Sequence, residues 1–250
     1  MKNKEGKFRF KKFAMSHSRS SMKVGVDGVF VGAWATPTEG EILDVGCGCG
    51  LIALMLAQRT EKAEILAIDI DSPSIDEAAG NFLESIWSDR MKALNISFDE
   101  IRKKYAGDGK RFSLIVSNPP YFDSGVEVLD DARKLARHQG ELSPEVLLNE
   151  CGGILEPEGR LAMVVPAVFY SSLVEISANT ELKVSRVLFI KDHDGAKVKR
   201  VLLEFVKEVD EGKPLGQRSE PDIRELTMFV SPGEPTEEYR KLCKDFYLKF

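Results

Sequence analysis

The chain has 250 residues, 43% hydrophobic and 30% charged, with a formal net charge of −5, the balance of a soluble globular domain able to bury its own core. No apolar run approaches the ~18 residues of a membrane span, and no apolar stretch follows the basic N-terminus as a secretory signal requires. Four scattered cysteines, Cys47, Cys49, Cys151 and Cys243, make no disulfide framework. Collagen, coiled coil and secreted mini-protein are excluded, and a reducing cytoplasm is the expected compartment.

The charge is uneven along the chain. Residues 1–23 carry eight basic side chains and one acid, Glu5, a local balance of +7 against −12 for the remainder. Phe8, Phe10 and Phe13 are interleaved in this arm. Such a pattern can touch phosphates and a base. Charge alone favours the competing reading, a solvated and partly disordered terminus.

From residue 41 the chain alternates strand and helix patterns. Glu41–Val45 reads as a buried strand and Leu51–Arg59 as an apolar helix after a glycine-rich turn. Ile65–Ile68 is a strand, and a helix with Ser72 at its N-cap and Pro73 in its first turn runs to about Trp87. Ala93–Phe98 reads as a strand, Glu100–Tyr105 as a helix, and Phe112–Ser117 as an apolar strand ended by two prolines. Ser143–Leu155 is a helix, Arg160–Val165 a strand, and Ala167–Asn179 a helix. Lys183–Ile190 and Lys197–Val206 flank a polar turn and read as an antiparallel pair. A charged loop, Glu208–Pro221, precedes a short strand, Glu225–Val230, and a helix from Thr236. The alternation predicts an α/β fold with a doubly wound, mostly parallel sheet and an antiparallel closing strand.

The first chemical signal is Asp44-Val45-Gly46-Cys47-Gly48-Cys49-Gly50, between a strand and a helix. Glycines there allow a tight turn and close backbone approach to a ligand. The spacing is GxGxG, and an acid precedes it, which is unwelcome beside a pyrophosphate but suits an ammonium group. Asp69, 23 residues beyond Gly46, stands where an acid can hydrogen-bond ribose hydroxyls. The two acids and the glycines together fit S-adenosyl-L-methionine, with its amino acid end and its ribose. A purely structural turn with a solvated Asp is the bland alternative. Cys47 and Cys49, one residue apart and with no second Cys/His pair, have poor zinc or redox spacing. No metal is assigned.

The second signal is Ser117-Asn118-Pro119-Pro120-Tyr121-Phe122 at a strand's carboxyl end, the ligand-binding edge of such sheets. Two prolines remove two donors and stiffen the turn. The Asn118 side chain and the Pro119 carbonyl offer two rigid acceptors for the hydrogens of an exocyclic amine. Tyr121 or Phe122 offers a face for a planar base or amide. A strand-ending proline turn is the competing reading, and the glycine turn in the same chain argues against it. Arg133, Lys134, Arg137 and His138 form a basic cluster beyond this turn, diluted by Asp130 and Asp131.

DVGCGCG, AIDID and SNPPYF resemble the class I S-adenosylmethionine-dependent methyltransferases that act on amino groups. NPPY is shared by adenine N6, guanine N2 and glutamine-methylating enzymes. FRFKKF, MKVGVDGVFVGAWA, GLIALMLAQRT, ARHQGELSPEVLL and the closing YRKLCKDFYLKF resemble the bacterial valine-tRNA adenine N6-methyltransferase family over nearly the whole chain. The resemblance implies a seven-stranded sheet with a reversed last strand, and a tRNA substrate modified at the adenine 3′ of the anticodon. Asp44, Gly46, Gly48, Gly50 and Asp69 would hold the cofactor, with Asp99 the nearest candidate for its adenine. Asn118 and the Pro119 carbonyl would bind the amino group, and Tyr121 would stack on the flipped base. Lys23, Phe122, Arg137 and His138 are candidate substrate contacts. Lys23, Val24, Asp27 and Gly28 match a segment that covers the cofactor. Residues 1–40 then form a basic arm and cover, and residues 41–250 the methyltransferase domain.

The rivals are a glutamine-methylating enzyme, a guanine N2 enzyme acting on rRNA, and a silent cofactor-binding adapter. Glutamine enzymes carry a helical substrate domain ahead of the fold, for which 40 residues leave little room. Intact Asp44, glycines and Asn118 argue against an adapter. No membrane contact and no obligate protein partner are expected.

Overall fold

The computed structural model describes residues 6–20, 23–120, 142–208 and 220–249. Strands β1 (Phe8–Arg9) and β2 (Ala14–Met15) form a small antiparallel pair, followed by helix α1 (Val26–Trp34). Then come β3 (Glu41–Val45), α2 (Leu51–Arg59), β4 (Glu64–Asp69), α3 (Ser72–Leu83), β5 (Met91–Asn95), α4 (Phe98–Asp108) and β6 (Phe112–Ser117). The remainder is α5 (Pro144–Glu150), β7 (Leu155–Pro166), α6 (Tyr170–Ala178), β8 (Leu182–His193), β9 (Arg200–Lys207), β10 (Asp222–Ser231), β11 (Glu234–Pro235) and α7 (Glu237–Cys243).

The main sheet runs β11-β10-β8-β9-β7-β6-β3-β4-β5. The five strands from β7 to β5 are parallel, and β9 runs against both its neighbours. The seven expected strands and the reversed seventh are therefore present. The C-terminal β10 extends the sheet beyond seven by pairing parallel to β8, and β11 pairs with β10. Every residue of β6 is buried, as a central strand covered on both faces must be. Successive side chains of a strand point to opposite faces. Ile42, Leu114, Val116, Ala162 and Val164 accordingly join the core under α1, α2 and α3. Leu43, Ile115, Leu161 and Met163 join the core under α4, α5 and α6.

Several element boundaries differ from the sequence reading for local reasons. Asp71 caps α3, accepting from Ser74 N at 3.2 Å, where Ser72 was expected. Helix α4 starts at Phe98 because Ser97 and Glu100 form a capping box. Strand β7 begins five residues before Arg160, across a register shift against β6. Glu158 sits at φ 61°, and a Cβ on Gly159 would lie 2.8 Å from Glu156 O. Seven residues of helix, Pro144–Glu150, followed by a single 3-10 turn at Gly152–Ile154, replace the continuous helix expected to Leu155.

Two larger corrections concern the first 40 residues. Helix α1 was not anticipated, because VDGVFVGAW holds two glycines and three valines, all weak helix formers. Packing overrides propensity here: Gly32 lies so close to α2 that a Cβ would meet Met55 Sδ at 2.8 Å. The arm, in its described part, is not a solvated tail, and its phenylalanines are not displayed for bases. Phe10, Phe13 and Met15 are buried in the main core. Phe10 stacks on Phe13 with ring centroids 4.6 Å apart, and Lys11 N donates to Phe246 O at 2.8 Å. Lysines between the aromatics, such as Lys11 and Lys12, stay exposed. Lys11 and Lys12 form the turn of the hairpin, closed by Phe10 N donating to Phe13 O at 2.8 Å, which leaves the lysines in solvent and the flanking rings against the core.

One buried charge braces α1 against the sheet. Glu204 on β9 has no exposed surface and pairs with Arg160 at 2.9 Å and Arg186 at 3.4 Å. It also accepts from Thr36 N at 2.8 Å and Thr36 Oγ1 at 2.9 Å. Arg186 in turn lies 4.3 Å from the Trp34 ring centroid. Paired and hydrogen-bonded, the carboxylate is tolerated in the interior.

Candidate active site

The turn after β3 is shaped by backbone conformation. Gly46, Gly48 and Gly50 all have positive φ, 68°, 52° and 83°, a region that side chains rarely enter. Gly50 also faces Phe82, whose ring a Cβ would meet at 2.5 Å. Gly46 N and Cys47 N both donate to Ile68 O, at 2.9 and 3.0 Å, which clips the turn to the end of β4. Asp69 closes the other side. Its Oδ2 accepts from Gly48 N and its Oδ1 from Asp71 N, each at 2.9 Å.

Asp44 is completely buried beneath this turn. Oδ2 accepts from Ala53 N in the first turn of α2 at 3.1 Å, while Oδ1 is buried without a partner among the described residues. Burial pushes its carboxyl up to about 7, the neighbouring Asp69 adds to the rise, and the Ala53 N–H opposes it. A buried acceptor left unmatched costs roughly 1–3 kcal/mol and calls for a ligand donor, best of all a cation. The residues present thus fit S-adenosylmethionine: an unmatched acid for its ammonium group and a turn with glycine at every second position for its close approach.

The second motif lies one strand away. Val45 of β3 pairs with Ser117 of β6, and Ser117 Oγ donates to Val45 O at 2.7 Å. Adjacent strands are about 4.8 Å apart, so the two motifs share one edge. Pro119 is buried and Pro120 exposed. Asn118 Oδ1 is buried with no partner among the described residues. Two unmatched acceptors, one from each motif, therefore sit at neighbouring carboxyl ends of the sheet.

The profile of the methyltransferase small domain family matches residues 18–178. A tRNA1(Val) (adenine(37)-N6)-methyltransferase of Parabacteroides distasonis is 40% identical, the alignment covering 97% of this chain and 98% of that one. A protein of the same name from Trichodesmium erythraeum is 39% identical over 97% and 98% of the two chains. The chain belongs to the tRNA1(Val) (adenine(37)-N6)-methyltransferase family. Among solved structures, a predicted O-methyltransferase from Agrobacterium tumefaciens aligns with a TM-score of 0.61 at 16% identity, over 88% of this chain and 96% of that one. A SAM-dependent methyltransferase from the same organism aligns with a TM-score of 0.56 at 14% identity, over 81% and 70%. These two show the same fold.

Within this family site, Asp44, Gly46, Gly48, Gly50, Asp69, Asn118 and Pro119 come together at one edge. Asp99 stands apart from the turn's hydrogen bonds. It is exposed in the first turn of α4 and pairs with Arg102 at 2.8 Å and Lys103 at 2.6 Å. Those two partners hold its carboxyl below the usual range, Lys103 foremost. Tyr121, Phe122, Arg137 and His138 lie outside the described residues. Lys23 is exposed beside Val24, whose N–H donates to His17 Nδ1 at 3.1 Å. Cys47 and Cys49 are buried. Burial, chiefly, drives both thiols up, Cys49 to about 12, so neither is a ready thiolate. Among the described residues no cluster of three metal-ligating side chains occurs, and no helix is long and apolar enough to cross a membrane.

Sequence reasoning missed two residues of α3 that set the site's roof. Buried Glu77 accepts the backbone N–H groups of Ser18, Arg19 and Ser20, at 2.8, 3.1 and 2.8 Å. Asn81 accepts from Ser16 N at 2.8 Å and donates to Ser16 O and Cys49 O, both at 2.9 Å. They tie residues 16–20 to the glycine turn. The signal was a pair of polar residues four apart on the helix's apolar face.

Proposed function

We propose that this protein methylates the N6 amino group of an adenine in tRNA, with S-adenosylmethionine as donor, and that the adenine is the one 3′ of the anticodon of a valine tRNA. The observation that carries the reading is the unmatched, buried Asn118 Oδ1 at the edge shared with the glycine turn. Family membership supplies the substrate class, since the relatives are named for this modification. The 1–40 and 41–250 division and a cytoplasmic location complete the reading.

Bound in the turn, S-adenosylmethionine supplies an electrophilic sulfonium methyl. Asp44 would meet the ammonium group, and Asp69, already accepting from Gly48 N and Asp71 N, would also accept from ribose hydroxyls. Asn118 Oδ1 and the Pro119 carbonyl each accept one hydrogen of the adenine amine. That draws the nitrogen lone pair away from the ring and directs it at the methyl carbon. The acceptors bind more strongly as positive charge grows on the nitrogen, so they act on the transition state. Alignment supplies the remaining acceleration. The nitrogen–carbon bond forms as the carbon–sulfur bond breaks, and the cationic amine then loses its proton to water. No separate strong base is required, because that proton is acidic once the methyl has arrived. Tyr121 stacks on the adenine, and Lys23, Phe122, Arg137 and His138 contact the substrate.

Methyl transfer to unmodified tRNA, compared with rRNA fragments and release-factor protein, tests the reading. The expected product is N6-methyladenosine in valine tRNA. Transfer to guanine or to glutamine, with none to tRNA adenine, would overturn it.

A further inference from the structure

A charged hairpin outside both motifs stands beside this site. Strand β8 is parallel to β10 and antiparallel to β9, so it points the same way as β6 and β7. The turn from His193 to Arg200 therefore lies at the carboxyl edge of the sheet, with the catalytic motifs. Two contacts fix its base. Ala167 N, just past β7, donates to Lys199 O at 3.0 Å. On the other side Arg200 Nε pairs with Asp27 Oδ1 at 2.7 Å, both side chains about one-fifth exposed. Asp27 lies in the first turn of α1, and its neighbour Gly28 packs on Leu51, the first residue after the glycine turn. The hairpin is thus joined to the end of β7, the strand beside β6, and to α1, which packs on the first residue of α2.

Register sets the separation. Ser117 pairs with Met163, so Pro166 is level with Pro120, and Pro166 pairs with Arg200. Two strand spacings, about 10 Å, separate the start of β9 from the Asn-Pro-Pro turn. That is more than one extended nucleotide, so contacts there would fall on phosphates flanking the target base. Residues 191–200 hold four cations, Lys191, Lys197, Lys199 and Arg200, against Asp192 and Asp194, with Glu225 facing Lys191 and Asp27 facing Arg200 from neighbouring elements. Lys197 and Lys199 are exposed. Lys199 pairs with Asp192, and Lys191 with Glu225. An exposed pair of this kind is worth little and exchanges readily for a phosphate. Val168, 67% exposed between this turn and the site, adds an apolar face suited to a sugar or base.

We propose that the β8–β9 hairpin is an RNA-docking wall, with Lys197 and Lys199 contacting phosphates that flank the methylated adenine and the Asp27–Arg200 pair holding the wall in place. This rests on the tRNA reading above. The test is full-length K197A/K199A on unmodified tRNA, with K62A as a surface control, since Lys62 is exposed at the opposite edge ahead of β4. KM for tRNA, kcat, cofactor affinity by calorimetry and the salt dependence of tRNA binding are measured for each. The double variant should raise KM about 5- to 20-fold, with kcat within twofold and cofactor affinity unchanged. The slope of log affinity against log salt should fall by about 1.4–1.8, two contacts' worth. K62A should match wild type. Unchanged KM and slope in the double variant, or an equal loss in K62A, would overturn the docking wall while leaving tRNA methylation standing. A wild-type protein that transfers no methyl to tRNA would overturn both.

Discussion

Replacing Asn118 with alanine separates catalysis from stability in an unusual direction. In the free protein Asn118 Oδ1 is buried and unmatched, a state that costs about 1–3 kcal/mol. Asn118→Ala removes that penalty together with some packing, and leaves both prolines in place. Stability should therefore hold or rise slightly. At about 2–4 °C per kcal/mol for a chain of this size, the melting temperature should change by no more than a few degrees, with an increase favoured. In the proposed mechanism the same side chain accepts an amine hydrogen most strongly in the transition state, so the methylation rate should fall about 10²- to 10³-fold. Asn118→Asp retains an acceptor and adds charge beside a nitrogen that becomes cationic, so it should keep more activity than alanine. Cofactor affinity should barely move. Single-turnover methylation of unmodified tRNA, with calorimetry and thermal melting of the same three proteins, decides. Equal rates for alanine and wild type would refute the acceptor mechanism. A loss of rate accompanied by a fall of ten degrees or more would make Asn118 a structural residue.

Three further outcomes are expected. Asp69→Ala removes an acceptor that holds Gly48 N and Asp71 N and, in the proposed reading, ribose, so cofactor affinity should drop about 10- to 100-fold, read by calorimetry; an unchanged affinity in the folded variant removes Asp69 from the site. Asp44, at about 7 in the free protein against 3.8 when exposed, keeps its proton longer folded than unfolded, so cofactor-free stability should decline as pH rises from about 4 to about 7. A cationic ligand binds the ionised form, so cofactor affinity should climb over the same window, by up to about tenfold per pH unit; a flat profile by calorimetry argues against the Asp44–ammonium contact. Phe13, 8% exposed in the main core, should cost about 3–5 kcal/mol when changed to alanine, and deletion of residues 1–13 should impair folding as well as any RNA contact; a truncated protein with wild-type melting would restore the solvated-arm reading.

The sequence by itself determined the fold class and marked the two motifs that the fold sets on one edge. Glycines at alternate positions from Gly46 to Gly50 and prolines after Asn118 carry their backbone requirements with them, since φ is a local property. The apolar run Phe112–Ser117 declared a central strand for the same local reason. Tertiary structure alone decided what depends on distant partners. Helix α1 forms despite its glycines because Gly28 and Gly32 must approach Leu51 and Met55 of α2. The arm's phenylalanines turn inward because Tyr247 and the C-terminal helix offer them a surface, with Phe10 and Tyr247 stacked at 6.0 Å. Asp99 and Asp69 look alike as acids after strands, yet neighbouring Arg102 and Lys103 claim one and the glycine turn claims the other. An acid's role is set by which donors the fold places within about 3 Å of it, and that is a property of three dimensions, not of spacing along the chain.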